Sequence, residues 1–212
     1  RRQRQMCIRD RIETFDILEE VAKELVRLNN KYGINIIFKS SFDKANRTSL
    51  HSYRGPNLEK GLTMLNDIKM KYGLSLLTDI HEPYQAEIVG GIVDVIQIPA
   101  FLCRQTDLLV AAARTGKIIN IKKAQFLSGQ DMKYPVEKVR ETGNANVWLT
   151  ERGNTFGYNN LVVDFRNIPD MCSITPHVIM DCTHSVQRPG ADGGKTLSLI
   201  HISEPTRLRR IS

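Results

Sequence analysis

Apolar positions recur along this chain in two alternating rhythms. Between residues 12 and 31, Leu18, Val21, Leu25 and Leu28 fall three or four apart, with Glu19, Glu20, Lys23 and Arg27 between them. That spacing predicts an amphipathic helix. Gly33 stops it, and INIIFKS follows as a continuous apolar run, the first predicted strand. Asn57 is placed to cap a second helix with a stripe of Leu58, Leu62, Leu65 and Ile68, and Gly73 sits where that helix ends. LSLLTD is the next strand, and a short helix over 83–90 leads to VDVIQIPA. Thr106 opens a helix with Leu108, Leu109 and Ala112 on its apolar face, closed by Gly116. KIINIKKAQ is the fourth strand, Asp131 to Thr142 a helix stopped by Gly143, and NVWLTERG the fifth strand. A short helix falls within 159–171, and HVIMDCTH is the sixth strand. Residues 1–11 and 197–212 show neither rhythm and are expected to be disordered or foreign to the fold, flanking one domain over 12–196.

Strand and helix alternate throughout, which predicts an α/β protein with a parallel sheet. The strands are near-continuous apolar runs, as when both sheet faces are covered. Two architectures compete. A doubly wound sheet concentrates its chemistry at one switch point, whereas a (β/α)8 TIM barrel gathers polar groups from the C-terminal ends of many strands. Here the six strands end in Lys39, Asp79, Gln97, Lys122, Arg152 and His184. That favours the barrel, in incomplete form, with about strands 2 to 7 present.

Composition changes this picture little. The 212 residues are 41% hydrophobic and 25% charged, ordinary for a globular domain. No run approaches the roughly 18 apolar residues of a membrane span, and no signal-peptide pattern is present. Cys7, Cys103, Cys172 and Cys182 have no CxxC spacing, so reduced thiols in a cytoplasmic protein are expected. Cys103 and Cys182 read as small core hydrophobes. The net charge of +7 suggests a polyanionic partner until it is located. Five arginines and one aspartate give residues 1–11 a charge of +4, and three arginines and one glutamate give residues 197–212 a charge of +2. Only +1 is left for the body, which argues against a nucleic-acid face.

The concentrated charge lies instead in FKSSFDKANRTSLHSYRGP, residues Phe38 to Pro56. Lys39, Lys44, Asn46, Arg47, Thr48 and Ser49 crowd the exit of a strand. Packing does not call for such a set, and a phosphorylated or carboxylated small molecule does. A single Lys or Arg at a strand end is usually a solvated loop charge. Six polar strand ends together are not explained that way.

In order along the chain, FKSSFDKANRTSLHSYRGP, LLTDIHEP, DVIQIPAFLCRQTDLL, INIKKAQFLS, TERGNTFGYNNLVVD and DCTHSVQRPG closely resemble the 3-deoxy-D-manno-octulosonate 8-phosphate synthases, over about residues 14–196. KANRTS separates the chain from the related synthase of aromatic biosynthesis, which uses erythrose 4-phosphate and carries a Lys-Pro-Arg-Thr segment there. The resemblance implies a (β/α)8 barrel assembling as a homotetramer when full length. It implies condensation of phosphoenolpyruvate with arabinose 5-phosphate and water, a step toward lipopolysaccharide. Lys44, Lys122 and Arg152 then look like the phosphoenolpyruvate clamp, with Lys39, Arg104, Gln97 and Gln187 nearby. Asn46, Arg47 and Thr48 look like the sugar-phosphate site, and Asp79 suits a sugar hydroxyl. Lys44, Lys122 and His184 are the catalytic candidates, Lys44 as a proton donor near the aldehyde. By the resemblance, His184 is a metal ligand in metal-using members and lies near the phosphoenolpyruvate phosphate in the others. The SVQ-x-PG spelling resembles the metal-using subclass, which leaves open a divalent Zn, Fe or Mn in the full-length enzyme or no metal at all, and with one of the usual four ligands present this chain alone is expected to bind no metal tightly. The chain departs from many relatives at Ala124, where they have Pro or Gly. By the same resemblance the family's first strand and everything after the Gly-Gly of GADGGKT are absent, and the two ends resemble translation of sequence foreign to the gene. An inactive phosphosugar-binding fragment, aggregating through open sheet edges, is the alternative from a different class.

Overall fold

A computed structural model describes residues 4–9, 11–46, 50–158, 160–192 and 195–198, with side chains left out for 4–9, 188–192 and 195–198. Seven strands form one parallel sheet: β1 (Arg4–Arg9), β2 (Asn35–Ser40), β3 (Ser75–Asp79), β4 (Val95–Ile98), β5 (Ile118–Lys122), β6 (Val147–Glu151) and β7 (Val178–Met180). They are joined by α1 (Phe15–Tyr32), α2 (Leu58–Tyr72), α3 (Gln85–Gly90), α4 (Thr106–Arg114), α5 (Lys133–Glu141) and α6 (Asn167–Ile174). Each strand hydrogen-bonds to the one before and after it in sequence, with no reversal of order. A doubly wound sheet would reverse, so this is the order of an incomplete (β/α)8 barrel, open between β1 and β7.

The helix ends follow local chemistry. The Thr14 hydroxyl accepts from Ile17 N–H at the start of α1, and Gly33 ends it at φ 62°. Asn57 Oδ1 accepts from Lys60 N–H at 3.0 Å, and Gly73 ends α2 at φ 63°. Both glycines take the left-handed conformation that side-chain-bearing residues resist. Leu62, Leu65 and Ile68 bury the α2 stripe, each contributing roughly 1.5–3 kcal/mol. No helix among the described residues is long and apolar enough to cross a membrane.

One expectation is corrected at the start of the chain. Residues 4–9 are not disordered: they form β1, with Arg4 opposite Asn35 and Arg9 opposite Ser40. The reason is that main-chain N–H and C=O groups along β2 need partners. Any extended segment within reach supplies them, whatever its side-chain rhythm. The strand count rises from six to seven. Residues 199–212 of the expected tail lie outside the described residues, while Lys195–Ser198 pairs antiparallel with Gln187–Asp192 in a separate hairpin.

Two apolar clusters show which way each strand residue faces. The larger lies between sheet and helices and includes Phe38, Leu76, Ile96, Ile119, Ile121 and Leu149. The smaller holds Ile37, Leu77, Val95 and Trp148, with Ile118 and Ile179 against them, and fills the opposite face. Strand side chains alternate faces. Lys39, Asp79, Gln97, Asn120, Lys122, Thr150 and Asp181 therefore stand above the smaller cluster, at the C-terminal mouth of the bore.

Candidate functional site

The bore is polar immediately above its apolar floor. Gln97 Oε1 accepts from Asn120 Nδ2 at 3.3 Å, and Asn120 Oδ1 accepts from Thr150 Oγ1 at 2.8 Å. The row continues to Asp79, whose neighbour on β4 is Gln97. Ser41 Oγ donates to Asp79 Oδ1 in a short contact, Lys39 Nζ donates to Ser41 Oγ at 2.6 Å, and Lys39 Nζ lies 3.4 Å from the same carboxylate. His81 Nε2 stands 3.4 Å from Asp79 Oδ2. Burial alone would raise the Asp79 pKa, yet the Lys39 charge, the His81 contact and the Lys44 charge hold it well below the ordinary carboxylate range.

Lys122, Asp181 and His184 form a second group. Lys122 Nζ pairs closely with Asp181 Oδ2 and lies 3.3 Å from His184 Nδ1. His184 Nδ1 is 2.7 Å from Asp181 Oδ2, and Asp181 Oδ1 accepts from the N–H groups of Thr183 and His184 at 3.1 and 2.9 Å. A carboxylate can only accept, so Nδ1 carries the proton and Nε2 the lone pair. Burial is the main influence on His184 and pushes its pKa down, favouring the neutral ring. Burial likewise lowers Lys122 against the pull of Asp181. Asp181 itself is held well below its usual range, because hydrogen bonds from His184 and the Lys122 charge outweigh its desolvation.

Arg152 completes the mouth. It is 6% exposed, and its Nε and Nη1 have no hydrogen-bond partner among the described residues. Burial depresses its pKa, and its charge, with that of Lys44, reaches Lys122. A desolvated guanidinium with open donors is costly unless an anion meets them. Four cations (Lys39, Lys44, Lys122 and Arg152) face two carboxylates (Asp79 and Asp181), so the mouth carries excess positive charge.

The structure brings the six strand-end residues Lys39, Asp79, Gln97, Lys122, Arg152 and His184 to this one mouth, and the charge of Lys44, on the loop after β2, acts there on Asp79 and Lys122. Gln187 is half-buried, just past the turn carrying His184. Asn46 is exposed on the basic loop, and Arg47 and Thr48 lie outside the described residues. That loop closes through Lys44 N–H donating to Arg54 O, and through Gly55 at φ 142°, where a Cβ would sit 2.0 Å from Phe42 O. Arg104 is exposed beyond β4, and its charge acts on Cys103 and Asp131. Cys182 is exposed rather than in the core, because it follows β7 on a turn, whereas Cys103 is buried. Sequence reasoning gave no role to Asp181, Ser41, Asn120 or Thr150. The period-two spacing of Asn120 with Lys122 and of Thr150 with Arg152 was the available signal. A cleft of about 550 Å³ between α3 and α4, lined by Pro83, Tyr84, Arg114 and Thr115 among others, lies on the helical surface and includes none of these groups.

The lone pair on His184 Nε2 suits a metal. Among the described residues, however, no three His, Cys, Asp or Glu side chains converge to hold one. A single imidazole is not a site. The donor set of the described residues does not fit a metal ion.

A model of the DAHP synthetase I family matches residues 9–203. The chain is similar to the 2-dehydro-3-deoxyphosphooctonate aldolase of Helicobacter hepaticus, 54% identical over 196 residues covering 87% of this chain and 72% of that protein. It is also similar to proteins of the same name from Brucella ovis and Brucella canis, each 55% identical over 185 residues covering 87% of this chain and 67% of the relative.

Proposed function

The chain belongs to the DAHP synthetase I family, and from that premise we propose that it joins phosphoenolpyruvate to D-arabinose 5-phosphate. With water as third reactant, the products are 3-deoxy-D-manno-octulosonate 8-phosphate and inorganic phosphate, in the pathway to lipopolysaccharide. The eight-carbon acid in the relatives' name supports this choice of sugar. The observation that carries the reading is the buried Arg152 with its two open guanidinium nitrogens beside Lys122.

Two anionic substrates would repel one another unless cations lie between them. Arg152 and Lys122 hold the phosphate of phosphoenolpyruvate, Arg152 through paired donors and Lys122 as a point charge. Lys39 and Lys44 supply further positive charge, and Gln97 a hydrogen bond. Asp79 receives a sugar hydroxyl, and the basic loop through Asn46, Arg47 and Thr48 takes the sugar phosphate. The enol carbon then bonds to the aldehyde carbon, and the aldehyde oxygen takes a proton, for which Lys44 is the donor. Water adds at the cationic second carbon and gives up a proton. The bond from that carbon to the phosphate oxygen then breaks as the added hydroxyl oxygen forms the keto C=O bond, and phosphate leaves with the electron pair and takes up the hydroxyl's proton. Positioning and electrostatic stabilisation account for catalysis of this kind.

The test is phosphate release from phosphoenolpyruvate with arabinose 5-phosphate, with the product identified by mass. Erythrose 4-phosphate serves as the competing sugar. Preference for the pentose phosphate supports the reading. Equal or better use of erythrose 4-phosphate, or no turnover by folded protein with either sugar, overturns it.

A further inference from the structure

We propose that Lys123 is a positioning residue for the phosphate clamp, holding from behind the sheet the two turns that present Lys122 and Arg152 to the bore. The inference rests on reading that clamp as the phosphoenolpyruvate site. Adjacent strand residues face opposite sides. At the end of β5, Lys122 faces the bore and Lys123 the helices, and at the end of β6, Arg152 and Glu151 divide the same way. The side chains of Lys123 and Glu151 are both 0% exposed, with Nζ 3.5 Å from Glu151 Oε1. Lysine and glutamate are almost never buried so completely without a pairing of this sort.

Neutralisation alone would need only the carboxylate. Lys123 Nζ also reaches the carbonyls of Ala124 and Leu127 in the turn after β5, at 3.2 and 3.1 Å, and Gly153 O and Asn154 Oδ1 in the turn after β6, at 3.5 and 2.9 Å. One ammonium thus bridges both turns. Glu151 Oε1 in turn accepts the N–H groups of Arg152 and Gly153 at 2.9 and 2.5 Å, which sets the backbone from which Arg152 projects. Asn154 Nδ2 donates to Leu127 O at 2.7 Å, and Thr155 N–H donates to Gln125 O at 2.9 Å, so the turns are tied twice more. A group of this kind acts on the clamp without touching a ligand.

The test compares the full chain with Lys123→Met in two readouts. Amide hydrogen exchange reports the turns directly: residues 124–129 and 152–155 are expected to exchange at least tenfold faster, with β3 and β4 unchanged. Calorimetry with phosphoenolpyruvate is expected to show affinity down ten- to hundredfold, while sugar-phosphate KM moves less than threefold. Glu151→Gln keeps an oxygen for the Arg152 and Gly153 N–H groups. It serves as the second variant, with smaller changes in the same direction, should Lys123→Met not fold. Unchanged exchange in the two turns of a folded variant overturns the inference, as does faster exchange with unchanged phosphoenolpyruvate affinity. If the parent binds no phosphoenolpyruvate while exchange still rises in the variant, the positioning role stands and the substrate reading fails.

Discussion

Arg152 and Asp79 show how much of the site depends on single side chains whose charge is kept out of water. Lysine at position 152 would retain the charge and lose the planar fork. Arg152→Lys is therefore expected to weaken phosphoenolpyruvate binding by about 1.5–3 kcal/mol, roughly 10- to 150-fold, with the fold intact by circular dichroism. Calorimetric titration of the variant is the check, and parent-like affinity would remove Arg152 from the clamp. Asp79 makes its contribution through its depressed pKa. A carboxyl whose folded pKa lies below its unfolded value of about 3.9 stabilises the fold above that pH, and the stability is lost as pH falls toward the folded value. Asp79→Asn should lower the melting temperature at pH 7 and flatten its decline below about pH 4. A decline as steep as the parent's would show that other groups control acid unfolding. Asp181 is the residue that the chain read as a string undervalued. DCTH drew attention to His184, and only the fold shows one carboxylate orienting both His184 and Lys122.

At the scale of elements, ends were easier to read than pairings. Gly33, Gly73, Gly116 and Gly143 all mark helix ends and take positive φ, because each reports a local backbone requirement. Asn57 was legible as a cap for the same reason, and its φ of 82° adds a detail that spacing does not contain. Alanine there would lose the side-chain cap and strain the backbone, whereas glycine would lose only the cap. Asn57→Ala is expected to destabilise by about 1–2 kcal/mol and Asn57→Gly by less than about 0.5 kcal/mol, measured by urea unfolding. A larger loss for glycine would mean that the strained backbone has no part in the cost. β1 was not legible at all. Its sequence carries no strand rhythm, and its place follows from the unpaired edge of β2.

For the whole molecule, the alternation of strand and helix points to a parallel sheet, and the strictly sequential strand order makes it a barrel arrangement rather than a doubly wound one. That order gathers residues far apart in the chain, Lys39 and His184 among them, at one mouth. The proposed reaction makes a prediction at this scale. If water adds to carbon and the carbon–oxygen bond breaks, turnover in oxygen-18 water should place the label in the sugar acid and none in the released phosphate. Labelled phosphate in the mass spectrum would mean attack at phosphorus and would overturn the carbon–oxygen cleavage.

By itself the sequence determined the periodicities, the helix ends, the polar residue closing each predicted strand, and the motifs by which the family is recognised. These are local properties, set by a few neighbouring residues. The tertiary structure decided what needs distant partners. It set which face of each strand looks into the bore, so that Lys122 joins the site and Lys123 is buried behind it. It paired Glu151 with Lys123 and Asp181 with His184, and it recruited residues 4–9 into the sheet. Side-chain direction among the apolar residues of strands with two buried faces leaves no trace in hydrophobicity, because both directions lead away from water; only the polar pairs Asn120 with Lys122 and Thr150 with Arg152 mark it.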